Sequence, residues 1–219
     1  MFIELSHPIT DGMTTYPGIP GPEITDHLSR EDSRGVYAAG TEFHLGRISL
    51  VGNTGTYLDT PFHRYEGGAD LAAVSLDRLA GLPGHTVRAE GLPHVGVERF
   101  KALEDADLSG AAVLIHTGWD RHWGTPEYLS GHPYVTGEAA RWLVERGVAL
   151  VGVDTLNIDA TDTGERPVHT TLLGAGVVIV EHMTGLGGLP DEGYRFHAAP
   201  PRIEGLGTFP VRAYAEVPA

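Results

Sequence analysis

Three apolar runs limit what this chain can fold into. AAVLIHTGWD (111–120), VALVGVDTLNID (148–159) and GVVIVEH (176–182) each begin as a buried strand and then turn polar. The polar ends are His116-Thr117-Gly118-Trp119-Asp120, the stretch from Asp154 to Asp159, and Glu181-His182. In open α/β sheets the carboxyl ends of strands form the ligand crevice. An ionised carboxylate at the end of VVIVE is costly to bury unless a cation or a donor pairs it, so Glu181 is a candidate site residue. The plainer reading is a strand that surfaces there.

Helical signals lie between these runs. TGEAARWLVERG has Thr136 as N-cap, Gly147 just past the C-terminus, and Ala139, Ala140, Leu143 and Val144 on one face. PVHTTLLGAG reads as a short helix ended by glycine. The first half is strand-like and turn-rich. FIEL alternates, SHPITDGMTTYPGIPGP is an extended loop punctuated by Pro and Gly, and EFHLGRISLVGNTGTYLD carries period-two patterning at Phe43, Leu45, Ile48 and Leu50. LDRLAGLPG and VGVERFKALEDADL read as short helical or turn elements, and PRIEGLGTFPVRAYAEV as strands closing a sheet. The class is mixed α/β, with buried strands meeting an antiparallel β-rich region.

At 219 residues the chain suits one sizeable core, and no composition break divides it, so a single domain over 1–219 is expected. A formal net charge of −14 argues against a nucleic-acid or anionic-membrane partner, because phosphate binding needs a basic face. Zero cysteines exclude disulfides, thiolate catalysis and Cys-ligated zinc, and they fit a reducing cytoplasm. MFIELSHPIT shows no secretory leader, and no apolar run approaches the ~20 residues of a membrane span. A cytoplasmic protein acting on a small molecule is expected.

Residues 53–64, NTGTYLDTPFHR, draw the most attention. On a strand, Asn53, Gly55, Tyr57 and Asp59 share a face. Pro61 then ends the ladder, and His63 is presented from the following turn. An amide, a phenol, a carboxylate and an imidazole make a poor core and a good site, although a strand edge with solvated polar residues is the bland alternative.

These residues carry a resemblance that covers nearly the whole chain. IELSHPITDGM, TGTYLDTPFH, VLIHTGW, VGVDTLNID, VHTTLL followed by IVEH, and PVRAYA together resemble the kynurenine formamidase and cyclase family of metal-dependent hydrolases. The resemblance implies an α/β swivelling-type β/β/α domain, with a barrel-like mixed sheet flanked by helices. It also implies a hydrolase of a small amide, formamide or lactam (arylformamidase-like), and homodimers or larger homo-oligomers. Carried over by position, the metal ligands are Asp59, His169 and Glu181, with His63 as proton donor and acceptor. The cofactor implied is a divalent metal, zinc or manganese.

The chain departs from the family frame H-x-G-T-H-x-D-x-P-x-H at two positions, where metal-binding histidines are replaced by Asn53 and Tyr57. An amide carbonyl is a weak ligand and a phenol must first lose its proton, so metal binding is expected to be weakened or absent. Three functions stay open. The first is the metal-assisted hydrolase. The second is a metal-independent cyclase or lyase with Tyr57 and His63 as catalytic acid and base. The third is a non-catalytic binding protein. Asn53, His116 and Trp119 are expected to line the substrate pocket, as is His182 beside Glu181. His44 is a possible replacement ligand, whereas His7, His85, His94, His122, His132 and His197 read as mostly solvated. No G-x-S-x-G elbow, Rossmann or P-loop glycine pattern occurs.

Overall fold

Alternation within the three apolar runs sends successive side chains to opposite faces of one sheet, and both faces are covered. The computed structural model describes residues 1–218. Its strands are β1 (Phe2–Glu4), β2 (Glu23–Leu28), β3 (Leu45–Ser49), β4 (Tyr57–Asp59), β5 (Ala80–Arg88) and β6 (His94–Val95) in the first half. The second half adds β7 (Ala112–His116), β8 (Tyr134–Val135), β9 (Leu150–Val153), β10 (Val178–Glu181), β11 (Tyr194–His197), β12 (Thr208–Pro210) and β13 (Tyr214–Glu216). The α-helices are α1 (Arg30–Ser33), α2 (Gly137–Glu145) and α3 (Pro167–Gly174).

Nine strands form one sheet in the order β1-β13-β11-β5-β7-β9-β10-β4-β12. Its centre, β5-β7-β9-β10, is parallel. Both margins are antiparallel, β11, β13 and β1 on one side and β4 and β12 on the other. This is the mixed, half-barrel sheet with few helices that the family resemblance implies.

Val113, Ile115, Val151, Val153 and Ile179 point to the helix side, where they meet Leu143, Leu172 and Leu173 of α2 and α3. Their neighbours Leu114, Leu150, Val178 and Val180 face the other way, onto Leu58, Met183 and Phe196. Each such side chain contributes roughly 1.5–3 kcal/mol by leaving water. Gly152 sits where the second layer is tightest; a Cβ there would lie 2.5 Å from the Met183 sulfur and 2.7 Å from Leu114. Among the described residues no helix is long and apolar enough to cross a membrane.

The two longer helices start differently. The Thr136 hydroxyl accepts from Ala139 N–H and caps α2, while Gly147 follows its end at φ 73°. Helix α3 begins with Pro167, and the side chain of Arg166 before it makes no cap bond. The Asp159 carboxylate, arriving from the loop after β9, accepts from Val168 N–H (2.7 Å) and His169 N–H (3.0 Å). It satisfies two orphan donors and complements the helix dipole from outside the helix's own sequence.

Two expectations need correcting. In LDRLAGLPG the residues Leu76–Arg78 form the short helical element expected, but AGLPG is not a turn; it opens β5, the longest strand. Pro83 is tolerated because the ladder to β7 begins only at Gly84, and Gly84 is needed because a Cβ there would lie 2.0 Å from the Tyr194 ring. The period-two stretch from 43 to 59 is likewise not one strand. β3 pairs only with β2, in an exposed two-stranded arm. The chain then bends through 52–56, with Gly55 at φ 65°, so Asn53 and Gly55 do not share a strand with Tyr57.

Candidate active site

Register places the site on the helix side of the sheet margin. In the antiparallel ladder Tyr57 faces Glu181 and Asp59 faces Ile179, while on the other edge Thr208 faces Asp59. Paired residues project to the same side. The Tyr57 hydroxyl therefore donates to Glu181 Oε2 at 2.7 Å, and the Thr208 hydroxyl donates to Asp59 Oδ1. Helix α3 packs over β10 and lowers His169 onto both acids. Its Nε2 lies 3.8 Å from Asp59 Oδ2 and 3.6 Å from Glu181 Oε1. His63, in the short 3₁₀ turn Pro61–His63, completes the group, its Nδ1 3.7 Å from Asp59 Oδ1.

Asp159 orients His169. Besides capping α3, its Oδ2 is 2.7 Å from His169 Nδ1, so Nδ1 points at an acceptor and Nε2 is turned toward Asp59 and Glu181. Glu181 is held at both oxygens, Oε2 by Tyr57 and Oε1 by Ile158 N–H at 2.7 Å. Asp59 is different. Its Oδ2 is buried and has no hydrogen-bond partner among the described residues.

The electrostatics follow from this packing. Burial opposes charge on His169, but the Glu181 carboxylate, Asp159 and Asp59 outweigh it and push the imidazole up to about 10. Burial raises Glu181 to about 7 against the opposing pull of His169, with the Asp59 charge adding to the rise. Burial works to raise Asp59 too, yet the His169 and His63 imidazoles and the Thr208 hydroxyl hold it below its ordinary value. Burial and the Glu181 and Asp59 charges push the Tyr57 phenol well above its usual range, so it stays protonated, although Asn53 beside it opposes the rise.

This set fits a divalent cation. One ligand atom each from Asp59, His169 and Glu181 lie within 4.8 Å of one another, all three residues buried. An orphaned carboxylate oxygen facing an imidazole is costly with nothing between them, and two acids with one imidazole are a donor set that zinc or manganese accepts. At Tyr57, where the family frame has an imidazole, the phenol clamps Glu181 instead.

A cleft of about 600 Å³ opens onto the site, lined in part by His63, Arg64, Asn157, Arg166, His169 and Thr170. Asp59, Glu181, His169 and His63 thus meet, with Tyr57 bonded to Glu181 and Asn53 beside the Tyr57 phenol rather than among the residues of the cleft wall. His116 and Trp119 do not join them. His116 Nδ1 sits 3.1 Å from Glu90 Oε1, Trp119 donates to the Tyr128 carbonyl, and neither has a hydrogen bond, ion pair or ring contact with the four. His44 lies on the exposed arm, 2.7 Å from Asp26. His85 and His132 are buried rather than solvated, and His182 is fully enclosed between the Tyr57 and Tyr128 hydroxyls. Asp154, another strand-end acid, accepts from Thr117 N–H, Thr117 hydroxyl and Gly118 N–H, which leaves it a structural lock. Thr208 is a site residue that sequence reasoning missed, and Asp159, placed by sequence in a polar strand end, has no role legible there; neither carries a local spacing signal.

Comparison with known proteins gives a consistent picture. The model of a family described as "Putative cyclase" matches residues 3–160. The kynurenine formamidase of Bacillus cereus is 27% identical over 213 residues, 97% of this chain and 95% of that protein. A solved structure described as a potential metal-dependent hydrolase with cyclase activity superposes with TM-score 0.78 at 27% identity, covering 98% of this chain and 96% of the other. Isatin hydrolase A from Labrenzia aggregata superposes with TM-score 0.84 at 23% identity, covering 99% and 93%, a likeness of fold.

Proposed function

Because the chain belongs to this cyclase family and is a hydrolase of carbon–nitrogen bonds outside peptides, we propose that its substrate is a small aryl amide, either a formamide or a lactam. The observation that carries this reading is the unpartnered Asp59 Oδ2, aimed at the atoms of His169 and Glu181 that could share a cation with it. A divalent ion held by these three residues would polarise the amide carbonyl and ease the loss of a proton from water.

The chain's own residues do the rest. His63, at the cleft wall with its side chain 36% exposed, takes a proton from water as the oxygen adds to the carbonyl carbon. The C–N bond then breaks, and the same imidazole returns that proton to the departing nitrogen. Asp159 keeps His169 turned, and Tyr57 with Ile158 N–H keeps Glu181 in place, so the reacting groups need no rearrangement. The single proton of Tyr57 is already committed to Glu181, which favours a clamping role over an acid role.

The test is direct. Protein purified without chelator is analysed for bound metal and assayed with the formamide of kynurenine, isatin and formanilide. Turnover of at least one, abolished by chelator and restored by zinc or manganese, is expected. Turnover that persists in metal-free protein would remove the cation and favour the metal-independent reading.

The same reading extends to assembly and compartment. Ile24 and Ile48 face each other across the β2–β3 arm at 46% and 51% exposure, with Phe43 and Leu45 nearby, and such a surface suits burial against a second copy. A homodimer in a reducing cytoplasm fits the arm and the zero cysteines. Light scattering should give twice the chain mass, and Ile48→Glu should halve it.

A further inference from the structure

Resting on the hydrolase reading for what His63 does, we propose that Thr208 is a positioning residue that fixes the His63 imidazole as its Nδ1–H tautomer and presents a bare Nε2 to the cleft. Proton counting leads there. Thr208 Oγ1 touches two groups, Asp59 Oδ1 and, at 2.8 Å, His63 Nδ1. The hydroxyl has one hydrogen and two lone pairs, and a carboxylate has no hydrogen to give. The Thr208 hydrogen therefore goes to Asp59, and the remaining contact is satisfied only if His63 Nδ1–H donates to Thr208. Neutral His63 then carries its lone pair on Nε2, which no protein group among the described residues engages and which belongs to a side chain lining the cleft.

The backbone is built to hold this contact. Gly207 O accepts from Thr60 N–H at 2.7 Å and from the Thr60 hydroxyl at 3.0 Å, tying β12 to the residues just before the His63 turn. Gly207 passes so close that a Cβ there would lie 2.3 Å from His63 N and 2.6 Å from its Cα. Only glycine allows that approach, and it sets Thr208 directly over the imidazole edge. Asp59 then serves two neighbours, with Oδ1 steadying the base through a hydroxyl and Oδ2 left for the cation. The logic is that of an acid orienting a catalytic histidine, with a threonine placed between them.

The tautomer can be read without any substrate. In protein carrying ¹⁵N-labelled histidine, the His63 ring signals are those lost in His63→Gln. Wild type should show them as Nδ1–H, and Thr208→Val should shift them toward a mixture or toward Nε2–H, while Thr208→Ser should restore the wild-type pattern. On whichever amide is turned over, and at saturating metal, Thr208→Val should lower kcat by about 10²-fold with KM changed less than about 2-fold and serine rescuing most of the loss. An Nε2–H signal in wild type would overturn the assignment, and so would full kcat in the valine variant or a loss of kcat that excess metal reverses. If valine prevents folding, the wild-type and serine spectra decide. If no amide is hydrolysed yet the tautomer shifts as stated, the hydrolase reading fails and the positioning role stands.

Discussion

His169 and His182 are both buried and are linked through Tyr57, whose hydroxyl meets His182 and also Glu181, the acid beside His169, yet their rings end in opposite states. His182 lies among the rings of Tyr57, Trp123 and Tyr128, and burial drives it down to about 3, so it stays neutral. His169 meets the same burial, but two site acids and Asp159 hold it up at about 10. Desolvation alone neutralises an imidazole. Where a buried imidazole keeps its charge, an excess of negative charge surrounds it, and that excess is what a divalent cation would balance. The aromatic side is structure, and the acidic side is where chemistry can occur.

The comparison breaks most sharply at Asp59. Asp59→Asn removes one negative charge and places an amide where the orphaned oxygen sits. Hydrolysis of the amide substrate should fall by more than about 10³-fold, and bound metal should drop below a tenth of an equivalent. Stability without metal should fall, because His169, His63 and Thr208 hold the buried Asp59 charge and lose their partner when it is removed. An Asn variant that keeps its metal would refute the ligand assignment.

Tyr57 joins the two sides, so Tyr57→Phe perturbs both. It strips the donor from Glu181 Oε2 and the acceptor from His182 Nε2, leaving two buried polar atoms unpaired. Urea unfolding should show a loss of roughly 2–4 kcal/mol. Activity should fall about 10- to 100-fold together with metal affinity, as expected for a group supporting a ligand. If kcat collapses while metal content stays full, Tyr57 is itself the acid.

Legibility from sequence follows the same division. The strand ends and the frame from 53 to 63 point to Asp59, His63 and Glu181, because alternation and polar strand termini are local signals, whereas His169, inside a helix, is reached only through the family resemblance. The role of Asp159 and the presence of Thr208 were invisible, since each acts through a contact set by tertiary packing: a carboxylate capping a helix it does not belong to, and a hydroxyl delivered by the penultimate strand. β5 was hidden for a related reason. Gly84 and Pro83 look like a turn until Tyr194 is known to lie across the strand. The neutral state of His132 and His182 was equally unreadable, because burial is a property of the fold rather than of the loop-like sequence around His132 or the strand end that carries His182.

The smallest effect concerns the aromatic side under acid. His7 stacks on Trp123 with ring centroids 3.9 Å apart, and burial lowers it to about 4, against the opposing charge of Asp120. Its folded value lies below the ordinary 6.5 of an unfolded chain, so the unfolded state binds the proton more readily. The stability this contributes is complete above about pH 6.5 and is lost as pH falls toward 4. His7 is only partly buried, so solvent screening limits its share between pH 7 and 5.5 to under about 1 kcal/mol. Urea unfolding at those two pH values should show wild type losing more stability than His7→Gln by that amount. An equal loss in both would mean that the stacked ring titrates as it does in water, and that the aromatic side is wetter than its packing indicates.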